Sequence, residues 1–296
     1  MTKNTFRKLV LALVLHLCGA VMGGEMPAQT FKVLSYNIYK GLMCDPSVNK
    51  QDFAKWVSKQ QPDIVALQEV NGFTQAKLSQ LAADYGHPYA VLLKEEGYPV
   101  ALTSRFPIVN VQKVIDNMHH GFILAQVKDY HILVTHLSPH KYKKRGEEVD
   151  MLLATVKATH PKGKWLMMGD FNAYSPWDKE SYKDGLVRER TRQLEMKYKS
   201  HQNLKNGELD FSVIEKVLNG GFCDALKLKN RDYVSSAPTK VLEHSDLHAN
   251  PTFRIDYIFV SQSLKKDVVQ CRIIKDDYTD NHSDHYPVWL ELSPDK

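Results

Sequence analysis

The stretch Met168-Gly169-Asp170-Phe171-Asn172-Ala173 sets an acid and an amide two residues apart at the end of the apolar run Trp165–Met168. Strand side chains repeat every second residue, so at a strand end Asp170 and Asn172 are expected to point the same way. An acid can activate water, and an amide can donate hydrogen bonds to an anionic oxygen. That pairing suits attack on a phosphate. Gly-Asp-x-Asn also builds ordinary turns, so its meaning depends on the rest of the chain.

Working outward, apolar runs of strand length recur at Phe31–Ile38, Asp63–Val70, Pro99–Thr103, Phe122–Val127, His131–Leu137, Arg254–Val260 and Pro287–Leu292. Helical spacing lies between them. Gln51–Gln60 puts Phe53, Trp56 and Val57 on one face, with Asn49 as a candidate cap. Phe73–Ala83, Glu147–His160 and Phe211–Leu218 follow the same pattern, closed by Pro161 after the second and Gly220-Gly221 after the third. The connection from Phe122–Val127 to His131–Leu137 is short enough for a hairpin. The mixture predicts an α/β fold with mixed sheets and helices outside. No linker divides the chain after its N-terminus, and Tyr174–Asn206 is expected to form the largest surface loop, with some helix in it, beside the Asp170 turn.

One chemical theme repeats at the strand ends. Asn37, Glu69, His136, and Asp170 with Asn172 each close an apolar run, Asp256 interrupts another, and Ser283-Asp284-His285 opens the last. Each residue has a plain structural reading: a turn for Asn37 or Asp284, a surface ion pair for Glu69, a satisfied core histidine for His136, an ion pair with Arg254 for Asp256. A buried carboxylate needs a partner, and a histidine suits Asp256. Together, in this order, the residues point to one pocket at the edge of a sheet sandwich.

The N-terminus is of a different kind. Lys3, Arg7 and Lys8 precede the apolar run Leu9–Leu17 and the small residues of Gly19–Gly24, the layout of a secretory leader over residues 1–24. The run is short of the ~20 residues that span a bilayer, so export to the periplasm or medium is expected ahead of a membrane anchor. Lys3, Arg7 and Lys8 are the only charged residues there, so without the leader the net charge falls from +5 to +2. Basicity is then no argument for nucleic-acid binding. Cys44, Cys223 and Cys271 would remain, without metal-ligand spacing, which excludes a disulfide-built scaffold and a cysteine zinc cluster.

The segments Leu34-Ser35-Tyr36-Asn37, Leu67-Gln68-Glu69-Val70, Val134-Thr135-His136-Leu137, Gly169-Asp170-Phe171-Asn172, Arg254-Ile255-Asp256-Tyr257 and Ser283-Asp284-His285 resemble, in this order, the motifs of the endonuclease/exonuclease/phosphatase superfamily of deoxyribonuclease-I-like hydrolases. The resemblance covers nearly all of residues 25–296, a single domain. It implies a four-layer α/β/β/α sandwich with two packed mixed sheets, and phosphoester hydrolysis with a divalent cation, magnesium or else manganese. In that frame Asn37, Glu69 and Asp284 would serve the metal, and Asp170 would orient or deprotonate water. Asn172 would hold a phosphate oxygen, Asp256 would fix His285 as phosphate donor, and His136 would sit by the leaving group.

Two departures stand out. Tyr39 occupies the place of a second acidic ligand in some relatives, which favours a single metal. Met118-His119-His120-Gly121 stands where many carry an arginine near the phosphate, making His120 a candidate substrate contact. Lys141, Lys143, Lys144 and Arg145 read as a solvated loop before an anion grip. Tyr174, Trp177 and Tyr182 suit base stacking and loop packing equally. The expected partner is a phosphoester: a small molecule, a lipid headgroup or a nucleic acid. A monomer with no obligate protein partner is expected. The alternatives are an extracellular nuclease and a catalytically dead binding module of the same fold.

Overall fold

A computed structural model describes residues 30–242 and 251–293; the expected leader lies outside the described residues. The first half of the chain runs β1 (Phe31–Asn37), α1 (Gln51–Gln60), β2 (Ile64–Gln68), α2 (Gln75–Asp84), β3 (Tyr89–Leu92), β4 (Ala101–Ser104), β5 (Ile108–Val114), β6 (Phe122–Val127) and β7 (Tyr130–His136). The second half runs α3 (Tyr142–Thr159), β8 (Lys164–Asp170), α4 (Leu186–Lys197), β9 (Leu204–Lys205), β10 (Glu208–Leu209), α5 (Ser212–Asn219), β11 (Phe222–Asp224), α6 (Ala225–Lys229), β12 (Asp256–Ser261), β13 (Val268–Ile273), α7 (Asp277–His282) and β14 (Val288–Leu292).

Two mixed six-stranded sheets result, in the orders β13-β14-β1-β2-β4-β3 and β11-β12-β8-β7-β6-β5. Strand parity builds the layers. Val33, Ile64 and Ala66 of the first sheet meet Ile132, Val134, Leu166, Met168 and Ile258 of the second in an inter-sheet core. The alternate residues face outward. Leu34, Tyr36, Val65 and Leu67 pack under Phe53, Trp56, Leu78 and Leu81 of α1 and α2. Leu133, Trp165, Met167 and Phe259 pack under Val149, Leu152, Val213 and Val217 of α3 and α5. Central strands buried on both faces read as unbroken apolar runs, which is why they stand out in the sequence. The four-layer sandwich is the expected one.

Some local expectations change. Asn49 does not cap α1: it sits in a left-handed turn (φ 52°). The Asp52 and Phe53 amides donate instead to Ser47 Oγ and Asp45 Oδ2, both at 3.0 Å, meeting the donors that a helix start leaves free. Helix α3 begins five residues earlier than its apolar spacing suggested, so Lys143, Lys144 and Arg145 lie on its first turn. Arg145 is buried, not solvated. Tyr174–Asn206 carries helix as expected: a 3-10 segment over Pro176–Tyr182 and then α4. Among the described residues no helix is long and apolar enough to cross a membrane.

Candidate active site

Strand register gathers the polar residues. Parallel pairing of β7 with β8 sets His136 opposite Asp170, and antiparallel pairing of β12 with β8 sets Asp256 opposite Asp170. Each of these continues the parity of the inter-sheet core: 132, 134, 136 in β7; 166, 168, 170 in β8; 260, 258, 256 in β12. On the facing sheet Asn37 continues 31 and 33 of β1, and Gln68 stands beside it. Glu69 has the wrong parity for the cleft. Its left-handed backbone (φ 58°) turns it back, so that its Oε1 accepts from Asn37 Nδ2 at 3.3 Å and its Oε2 accepts from the Lys40 amide at 3.0 Å.

Asp170 is the hub. Its Oδ2 accepts from Asn37 Nδ2 at 3.2 Å and lies 3.4 Å from His136 Nε2 and 3.9 Å from His285 Nε2. Its Oδ1 accepts from the Asn172 amide at 2.8 Å. Asn172 does not reach the site by strand alternation. The strand ends at Asp170, and Asn172 is left-handed (φ 48°), closing a side-chain turn on Asp170 while its Nδ2 donates to Leu137 O at 3.0 Å. One of its two side-chain N–H bonds is therefore spent on fastening the turn to the end of β7. His285 Nδ1 bonds Asp256 Oδ2 at 2.8 Å, and its Nε2 lies 4.0 Å from Asp284 Oδ1. Ser283 Oγ donates to Asn37 O at 2.6 Å, tying this loop to β1.

The charges explain one another. Burial opposes a charge on His285, yet the Asp256 and Asp284 carboxylates around it prevail and hold its pKa well above the ordinary range. Burial raises Asp170, and Asp256 adds to that. Burial likewise pushes Asp284 up to about 6, with Glu69 adding to it against His285. His136 is held well below its ordinary value by burial and then by His120 and His285, so it is neutral.

Asp170, Asp256 and His285 offer ligand atoms within 4.8 Å of one another. Two of these residues are already engaged with each other, however: His285 Nδ1 bonds Asp256 Oδ2 at 2.8 Å. The acids on the other side fit a cation better. Glu69 and Asp284 repel each other, and Asp284 Oδ1 is buried with no hydrogen-bond partner. An all-oxygen donor set of this kind suits magnesium, which takes few carboxylates and keeps several waters.

The structure adds residues that the sequence reading missed. Ser236 Oγ donates to Asp256 Oδ2 at 2.6 Å and accepts from the Ile255 and Asp256 amides at 3.0 and 3.2 Å. Glu148 of α3, fully buried, accepts from the His119 and Ser138 amides at 2.6 and 2.8 Å. No periodicity marks a serine in a polar loop or an acid inside an amphipathic helix. Arg254 is not the partner of Asp256: it pairs with Asp178 at 2.6 Å and Asp224 at 2.7 Å, all three buried. His120, an expected substrate contact, is buried and stacks on His136. Tyr174 and Tyr182 pack against each other, whereas Trp177 is 67% exposed. Cys44, Cys223 and Cys271 are free thiols.

A family model described as "Endonuclease/Exonuclease/phosphatase family" matches residues 34–285. The chain belongs to this family. No curated protein matches it by sequence. Solved structures of the same fold include an AP endonuclease from Archaeoglobus fulgidus, with 17% identity, TM-score 0.66, and 88% of this chain and 99% of that one covered. A 3' phosphatase from Neisseria bound to product DNA hairpin gives 18% identity, TM-score 0.67 and coverage of 89% and 100%. A 3'-5' exonuclease from Neisseria meningitidis gives 18%, 0.65, and the same coverage. At such identity the likeness concerns the fold, and with the family match it makes the chain a member of a phosphoesterase and nuclease superfamily.

Proposed function

We propose that this family member is an exported, divalent-metal-dependent phosphoester hydrolase in which an Asp170-activated water attacks a bound phosphate. One observation carries the reading: Asp170 Oδ2 is shared by Asn37, His136 and His285 Nε2 within 3.9 Å, and Glu69 hangs from the same Asn37 amide. Magnesium or manganese, held by Glu69 and Asp284 beside Asn37, would polarise the phosphoryl oxygen and return the crowded acids to their charged forms. Asp170, fixed by Asn37 and the Asn172 turn, orients the attacking water and takes its proton. The free N–H of Asn172 and the neutral ring of His136 hold non-bridging oxygens as charge grows on them. His285 is the charged donor at the phosphate, kept in register by Asp256 and, behind it, Ser236. A neutral His136 carries no stored proton, so protonation of the leaving oxygen passes to His285.

The test is a panel of phosphodiesters and phosphomonoesters, spanning nucleic acids, phospholipids, inositol phosphates and sugar phosphates, with magnesium or with chelator. Asp170→Asn and His285→Ala are each expected to lose at least ~100-fold in turnover. A near-normal rate in either contradicts its role, and a folded protein inert on the whole panel favours a binding module. A second reading, a hydrolase of nucleic-acid ends, is favoured by the structurally similar 3' phosphatase bound to product DNA hairpin. It predicts a steep loss of rate with added salt on DNA and none on small esters.

A further inference from the structure

Five imidazoles stand ring against ring from the reacting centre outward. His136 stacks on His120 (centroids 4.2 Å apart, planes at 25°), and His120 meets His119 edge-on at 4.3 Å. His119 meets His140 at 5.1 Å and His140 meets His201 at 4.8 Å, both edge-on. His136 and His120 are buried, His140 and His201 half-buried, His119 exposed, so the row leads from Asp170 to solvent.

The loops that carry the row are tied together from below. Glu148 holds the His119 and Ser138 amides; Arg145 Nη1 donates to Ser138 O and Asn203 Oδ1 at 2.9 and 2.8 Å; the Gln202 amide donates to His140 O at 2.7 Å. Ser200 Oγ and His201 Nδ1 bond at 3.2 Å, and the two rings nearest His136 are left open. Among the described residues the side chains of His119 and His120 make no hydrogen bond.

Charge divides the cleft. Glu69, Asp170, Asp256 and Asp284 crowd one end. Along the row cations act on the rings, Lys94 and Lys144 on His119 and Lys141 and Arg145 on His140, alongside three acids: Glu148, whose Oε1 accepts from the His119 amide at 2.6 Å, Glu147, 3.7 Å from Lys144 Nζ, and Glu195, which acts on His201. Burial is the first cause lowering the pKa of all five rings, His120 down to about 3. Neutral rings among lysines offer N–H donors in a positive field, which suits an anion. They do not suit a cation: among the described residues no three of these histidines bring ligand atoms within 4.8 Å.

We propose that His120, His119 and His140, with Lys94 and Lys144, form a second anion subsite, which binds a non-scissile phosphate of a substrate carrying two or more phosphates. The inference rests on the phosphoester-hydrolase reading and narrows it to a polyphosphorylated ester, either an oligonucleotide or a polyphosphorylated small molecule.

The variant His119→Ala/His140→Ala removes both ring donors and leaves the catalytic residues and the Glu148 fastening in place. On a trithymidylate or on inositol hexakisphosphate, whichever is hydrolysed, KM should rise about a hundredfold with kcat unchanged, the scale of two lost hydrogen bonds to charged groups. Kinetics on bis(4-nitrophenyl) phosphate, which has a single phosphate, should not move. His119→Lys, which keeps a donor, should retain most of the affinity. Unchanged KM on both polyphosphorylated probes, or an equal loss on the single-phosphate ester, overturns the subsite. Calorimetric binding of the same two probes to Asp170→Asn protein in chelator separates the two claims. A wild type that hydrolyses nothing sinks the hydrolase reading, whereas equal affinity with and without the double substitution sinks the subsite alone.

Discussion

Gly169→Ala probes the rung on which the cleft is built. Gly169 has φ +143°, a backbone that side chains rarely adopt, and lies between Met168 and Asp170 opposite Thr135. An added Cβ would stand 1.9 Å from the Thr135 carbonyl oxygen, and that neighbour is backbone, not a flexible side chain. Ordinary contact begins near 3.4 Å, so β8 would have to leave β7 by about 1.5 Å there. Overpacking costs ~1–3 kcal/mol and the unfavourable backbone a further ~1–3 kcal/mol. A total of about 4 kcal/mol is a large share of the ~5–15 kcal/mol that holds a domain. The same shift moves Asp170, and a misplacement of ~1 Å can cost ~100-fold in rate. Gly207→Ala is the control: its φ is +80° with nothing within 4 Å of the added carbon, so only a backbone cost of ~1–2 kcal/mol is expected. Urea unfolding at pH 7 reads the stabilities, and hydrolysis below the transition reads the site. A Gly169→Ala protein no less stable than the Gly207→Ala control, or active within threefold of wild type, would mean that β7 and β8 tolerate the added carbon without moving Asp170.

His87, away from the cleft, makes a pH prediction. It is buried between Thr103 Oγ1 at 2.8 Å and Pro62 O at 2.9 Å, and burial lowers its pKa to about 4. The unfolded chain takes up this proton near pH 6.5 and the folded one refuses it until about 4, so stability is complete above 6.5 and falls as pH drops through that window. The loss approaches roughly 3 kcal/mol; His87→Gln should flatten it, and equal losses of urea midpoint in both proteins between pH 7 and 4.5 would count against the assignment. Glu69→Gln relieves repulsion among the cleft acids and removes a carboxylate proposed to hold the metal. Magnesium at ~100 times its Kd should stabilise wild type by about 2.7 kcal/mol and leave the variant's melting temperature unmoved; the same magnesium response in both would remove Glu69 from the metal site.

Legibility in the sequence followed burial. Strands β1, β2, β6, β7 and β8 are covered on both faces, and their apolar runs announce them within a residue or two. Strand β5 is a sheet edge with most of Ile108–Val114 exposed, so Ile-Val-Asn-Val-Gln-Lys-Val carries no one-sided pattern. Strand β13, at the opposite kind of edge, exposes Val269, Gln270 and Arg272 and pairs through a bulge. Two-residue β9 and β10 are too short for any period. Asn49 misled because a cap residue type before a helix says nothing of the backbone it sits on: here Asn49 and Lys50 are both left-handed, and Asp45 and Ser47 reach the helix from further back.

The site was legible for the same reason as the core. A strand that sends residues 132 and 134, or 166 and 168, into the space between the sheets sends its next even residue to the mouth of that space. His136 and Asp170 are therefore determined by the pattern that makes their strands fold, and Asp256 enters its strand on the same count from the other direction. Parity also marks where the reading must fail. Glu69 follows the inward Gln68 and belongs by count to the helix side; only its left-handed backbone returns it to Asn37. Asn172 shares the parity of Asp170 but lies past the strand, and meets Asp170 through a turn. Ser236, His119, His140 and His201 come from connections with no period at all, and only the folded chain brings them to the cleft. A substrate read from strand ends alone would be a bare phosphate; the loops are where its remaining chemistry is recognised, and the imidazole row is the part of this chain that strand counting could not supply.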